Sequence, residues 1–122
     1  MRTNNEISIN KENLFCDIQN AFSASYPFLK MAFFLKSRDI DINKKKAIDP
    51  NTSLNKFLSS HFITISFGGH QTVSEVSGNI ENTLNVTVQV LRKSGNVWLP
   101  ISLTESWTLE NQNAAGELLD TQ

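Results

Sequence analysis

The chain has 122 residues, enough for one domain to bury a core without disulfides or a structural metal. Apolar residues make up 39% of it, with eight Phe and two Trp, and a formal net charge of −1 supplies no global attraction to nucleic acid, anionic lipid or acidic substrates. The single cysteine, Cys16, excludes an internal disulfide and a thiolate zinc site, and no apolar run has signal-peptide or membrane-spanning character, so the expectation is a cytoplasmic, bacterial-style protein without a membrane partner.

Ile7 and Ile9 alternate with Glu6, Ser8 and Asn10, which predicts a strand with one buried face. Phe15, Ile18, Phe22 and Tyr26 follow at helical spacing, with Asn13 as the expected cap. Leu29, Met31 and Phe33 then alternate as a second strand. In the linking segment 37–60, Asp49 before Pro50 predicts a short helix over roughly 50–59, docked by Leu54, Phe57 and Leu58. Ile63, Ile65 and Phe67 repeat the strand pattern. Val73, Val76, Ile80 and Leu84 repeat the helical stripe behind a Thr72/Glu75 capping box, and Val86, Val88 and Val90 repeat the second strand. Lys93-Ser94-Gly95-Asn96 reads as a turn into a fifth strand, Val97, Trp98, Leu99 and Ile101, which Pro100 places at an edge. A short helix near 108–118 ends the chain.

Residues 7–26 thus lie over 65–84 in one unbroken pattern, and the strands after them match as well. The expectation is a single domain, 1–122, with pseudo-repeats over about 5–36 and 63–93, an insert at 37–60 and a C-terminal extension at 94–122. Its class is α+β: duplicated βαβ units forming a ferredoxin-like open sandwich with an extra C-terminal strand and short helix. The insert and the extension show no counterpart in the opposite half. In the extension, "QVLRKSGNVWLP" and "ESWTLENQN" resemble the C-terminal part of a group of small bacterial proteins with no assigned activity. The resemblance covers the last third of the chain and implies only that the tail is an integral part of the fold.

"ISFGGHQTVSEV" passes from strand to glycine turn to helix, as phosphate-cradling loops do. Gly68, Gly69 and His70 are therefore candidate anion ligands, with Arg92 and Lys93 as candidate basic partners. The first copy has Asn10-Lys11-Glu12 at the same place, and the lysine and hydroxyl of a P-loop are missing, so the glycines read mainly as a turn. "DIDIN" begins like a calcium loop but has Lys44 and Pro50 where Gly and Glu are required. His61 and His70 have no metal-site spacing, Cys16 borders an apolar stripe, and Glu75, Glu81 and Glu110 read as caps and solvated faces. No enzyme and no cofactor are expected.

Lys44-Lys45-Lys46 and Arg92-Lys93 are local basic spots. With Ser8, Thr64 and Ser66 at the outward positions of the presumed central strands, the sheet lacks aromatic platforms for bases, and nucleic-acid binding is not expected. The polar sheet face would comprise Glu6, Ser8, Lys30, Thr64, Ser66, Thr87 and Gln89, with Phe34 and Leu91 among them. Leu91, Trp98 and Trp107 are candidate interface residues. The expected function is a non-enzymatic interaction module that self-associates through its sheet face or edge strand. The alternative is a sensor of a small ligand or anion at the strand-to-helix loops.

Overall fold

The computed structural model describes residues 5–120. Strand β1 (Glu6–Asn10), helix α1 (Phe15–Ser25) and strand β2 (Leu29–Leu35) form the first half. Strand β3 (Phe62–Ser66), helix α2 (Val73–Leu84) and strand β4 (Val86–Ser94) follow in the same order, then strand β5 (Val97–Pro100) and helix α3 (Leu109–Asp120). The α+β class therefore holds. The strand pairing differs from a ferredoxin-like sheet: β1 pairs only with β3, and a separate antiparallel sheet has the order β2-β4-β5. Both β2 and β4 bury alternate residues, Leu29, Met31 and Phe33 against Val86, Val88 and Val90, so pairing them builds one continuous apolar face.

The three helices pack on that face. The Phe15 ring lies 5.0 Å from that of Phe33, and α3 reaches the same side through Arg92. The stripe residues Phe15, Ile18 and Phe22 are 0% exposed, and Val73, Val76 and Ile80 lie between 1% and 3%. Helical periodicity in the sequence thus located the core correctly. The C-terminus of α2 turns through Asn85 at φ +56°, a left-handed position that Asn tolerates well. The β4–β5 hairpin turns on Gly95 at φ +61°, where a side chain would be strained.

Two local expectations need correction. The cap of α1 is not Asn13. The Asp17 carboxylate accepts the Leu14 N–H at 2.8 Å, and the Asn13 side chain instead accepts the N–H of Asn10. Residues 50–59 do not form a helix either; only a 3₁₀ turn, Leu54–Lys56, is present. The reason lies in the backbone: the carbonyls of Pro50 and Thr52 accept the N–H groups of Cys16 and Phe15, so this segment is a strap across the start of α1.

The tail repeats the strap. The carbonyls of Glu105 and Trp107 accept the N–H groups of Ser74 and Val73 at the start of α2. Leu54 N–H donates to the Asn13 carbonyl, and Leu109 N–H to the Gln71 carbonyl. Isolated antiparallel bridges, Leu14 with Ser53 and Thr72 with Thr108, match as well. The segment before each strap also corresponds: Ile48 N–H donates to the Phe33 carbonyl, and Ile101 N–H to that of Val90. The insert and the C-terminal extension are therefore counterparts of each other, although their sequences show almost no likeness.

Tyr26 joins the halves, its hydroxyl donating to the Phe67 carbonyl at 2.6 Å. Burial, with the Glu110 carboxylate as the smaller cause, pushes the phenol up from 10.0 to about 12. The unfolded chain then releases this proton at lower pH than the folded one, so this contribution to stability is complete below pH 10 and is lost between pH 10 and about 12. Urea midpoints at stepped alkaline pH should fall less steeply for Tyr26→Phe than for wild type. At neutral pH that variant should be about 1–3 kcal/mol less stable, because the Phe67 carbonyl loses its donor.

Candidate functional site

The Gly68–His70 loop is closed from above by the tail. Gly68 N–H donates to Gln71 Oε1, and the Gly69 carbonyl accepts the N–H of Glu110. A Cβ on Gly69 would stand 2.9 Å from Glu110 Oε2, the mobile end of that side chain, and 3.5 Å from its Cβ. The helix N-terminus that could have held an anion gives the N–H groups of Val73 and Ser74 to the strap, and that of Glu75 to Thr72 Oγ1. Hydrogen bonds with Thr72, chiefly through its backbone, hold the exposed Glu75 carboxyl below its usual pKa. His70 is exposed beside this turn.

Arg92 lies elsewhere, under α3. Its Nη1 donates to Gln112 Oε1 at 3.0 Å, and Gln112 Nε2 donates to the Thr104 carbonyl and hydroxyl. Gln112 is 0% exposed with its amide fully engaged, which marks it as the latch that seats α3. Gly116 allows the approach: a Cβ there would be 2.8 Å from Phe28 Cβ and 3.1 Å from the Phe28 carbonyl oxygen. Lys93 faces the opposite side of the sheet, across from Trp98. The structure does not gather Gly68, Gly69, His70, Arg92 and Lys93 into one site.

The polar face expected to run across all strands is divided. Glu6, Ser8, Thr64 and Ser66 belong to the β1–β3 ribbon, whereas Lys30, Phe34, Thr87, Gln89, Leu91 and Lys93 lie on the outer face of the larger sheet with Trp98. The central strand of that sheet is β4, so the absence of aromatics at Ser8, Thr64 and Ser66 no longer argues against nucleic acid. Trp98 is half-buried, with Lys30 Nζ 4.8 Å from its ring centroid, a cation–π contact that holds the indole on the sheet. Trp107 is exposed on the second strap, and Leu91 is half-buried between Lys30 and Pro100.

Matching the halves brings out what the sequence concealed. The N–H of Leu35 donates to the Lys46 carbonyl, just as Arg92 stands opposite Leu99. By this register Lys46 is the counterpart of Leu99; the residues before it turn away as a 3₁₀ helix, Ile42–Lys44, so the first half has no strand equivalent to β5. The segment beside β2 thus carries its lysines on and just after a turn, charge and irregular backbone being common devices for keeping an edge unpaired, while the β5 edge is a regular apolar strand. Val97 and Leu99 are 54% and 51% exposed on the helix side of β5, and Leu103, 96% exposed, borders the same depression as Leu99. The pattern "KKKAI" over "VWLPI", each ending in an isoleucine that bonds back to a strand, was the available signal.

A groove of 990 Å³ lies beside the unpaired part of β4, walled by α2, by residues 40–45 and by the chain leaving β5. Among the described residues no three His, Cys, Asp or Glu side chains are grouped to hold a metal ion, and no helix is long and apolar enough to cross a membrane. No family model, curated protein or solved structure matches the chain.

Proposed function

We propose that the protein is a non-enzymatic interaction module that self-associates through the β5 edge. The observation that carries this reading is the contrast between the two outer segments, a lysine-bearing 3₁₀ turn beside β2 and a regular Val-Trp-Leu strand beside β4. Exposed Val97, Leu99 and Leu103 gain from leaving water together, and the seated indole of Trp98 loses little freedom on contact. A second copy is the partner because one apolar edge and one lysine-bearing turn per chain favour a closed two-fold pair. Two apolar edges would instead allow a filament.

Pro100 shapes the contact. Ile101 N–H points to β4, so strand alternation turns Trp98 and Pro100 outward, and the missing proline N–H falls on the free edge. Side chains then carry more of the association than backbone bonds. Light scattering across a concentration series checks this: wild type should form a dimer. The Val97→Lys/Leu99→Lys variant, which puts charge on the exposed edge, should raise the dissociation constant by about tenfold or more with an unchanged circular dichroism spectrum. A wild-type protein that stays monomeric at high micromolar concentration overturns the proposal.

A further inference from the structure

The halves also differ beside their inner strands. In the first half, Gln19 Nε2 donates to the Met31 carbonyl at 2.9 Å and Ser23 Oγ to the Leu29 carbonyl at 3.0 Å, so side chains of α1 close the free edge of β2. The counterparts of Gln19, Asn20 and Ser23 in α2 are Ser77, Gly78 and Glu81. Shortening the first two opens the 990 Å³ groove, and both Ser77 and Gly78 line it. Glu81, also in the lining, takes only one edge group, accepting the Val88 N–H through Oε2 at 2.9 Å.

We propose that this groove is a binding site for an extended basic peptide that adds as a short strand to the open edge of β4. Since Val88 N–H points away from β2, strand alternation turns the N–H and C=O of both Val86 and Val88 toward the free edge. β5 does not cover them, because its ladder ends at Leu91 and the last bond from the following residue, Ile101, goes to Val90. An incoming strand displaces the Glu81 carboxylate from Val88 N–H and gains main-chain bonds, the usual source of affinity when a peptide joins a sheet. The groove chooses the side chains. Asp41, Glu81 and Glu105 line it against one cation, Lys45, whose Nζ already donates to the Ser37 carbonyl and hydroxyl. The released Glu81 carboxylate then meets a Lys or Arg of the peptide.

A randomised heptapeptide library displayed on phage tests the site, selected in parallel on the full wild-type chain and on Ser77→Gln, which restores the closure seen in the first half. Peptides enriched on wild type should carry at least one Lys or Arg, shift the amide resonances of Val86 and Val88, and bind Ser77→Gln about tenfold more weakly. Glu81→Lys supplies a second variant and should abolish binding of the same peptides by charge reversal. The Val97→Lys/Leu99→Lys variant should bind them as wild type does, which separates this site from self-association. No enrichment, enrichment without basic residues, or equal affinity for wild type and Ser77→Gln overturns the proposal.

Discussion

Replacing Phe22 with alanine should lower the unfolding free energy by about 3–5 kcal/mol in urea titrations. The ring is fully buried in the last turn of α1, edge-on to Phe67 at 5.7 Å and tilted against Tyr26 at 5.5 Å. Those contacts join the first helix to the chain leaving β3, so the vacated space lies between the halves. Neither side can close it without moving the Tyr26 hydroxyl from the Phe67 carbonyl. A loss under about 1 kcal/mol, typical of surface positions, would mean that this helix face does not bear on the core.

Leu54→Ala and Leu109→Ala should each cost about 2–5 kcal/mol, and by similar amounts. Each leucine is 0% exposed and sits one residue past a bridge that holds a strap on a helix start. Truncation removes the anchor from the carbonyls that receive the first N–H groups of α1 or α2, so the cavity term and the loss of these caps act together. The two variants differ in one respect: Leu109→Ala also frees α3, whereas Leu54 is followed only by a 3₁₀ turn. Hydrogen exchange should accordingly rise at Val73 and Ser74 in Leu109→Ala, and at Phe15 and Cys16 in Leu54→Ala. Equal exchange at both helix starts in the two variants would count against separate straps.

Periodicity revealed the elements and most of the core because burial imposes it residue by residue. Phe15, Ile18 and Phe22 had to be spaced helically to face Phe33, and Val86, Val88 and Val90 had to alternate to share that face. Pairing left no such mark. The alternation of β2 suits an open sheet as well as a ladder with β4, so partner choice could not be read from it. The straps were hidden for a related reason: their task is done by backbone carbonyls, which place little demand on residue type, so Pro50 and Glu105 perform the same role. Only Leu54 and Leu109, which are buried, kept the same side chain. The contrast between Lys44–Lys46 and Val97–Leu99 becomes visible only once the Ile48–Phe33 and Ile101–Val90 bonds align the two segments. The groove likewise depends on comparing Gln19 with Ser77 at positions that pair with different strands.

The interleaved pairing governs how the chain can fold during synthesis. β1 waits for β3, and β2 waits for β4, so no strand of the first half finds its partner within that half. A nascent chain of about sixty residues has therefore completed α1 and its strap, while Ile9, Met31 and Phe33 still lack the opposing strands that cover them. Closure requires loops long enough to bring Ile7 to Ile65 and Leu35 to Val86, a non-local topology that slows the rate-limiting step. On the ribosome, the emerging first half is the stage most exposed to aggregation and to capture by chaperones, and the arrival of β4 ends it.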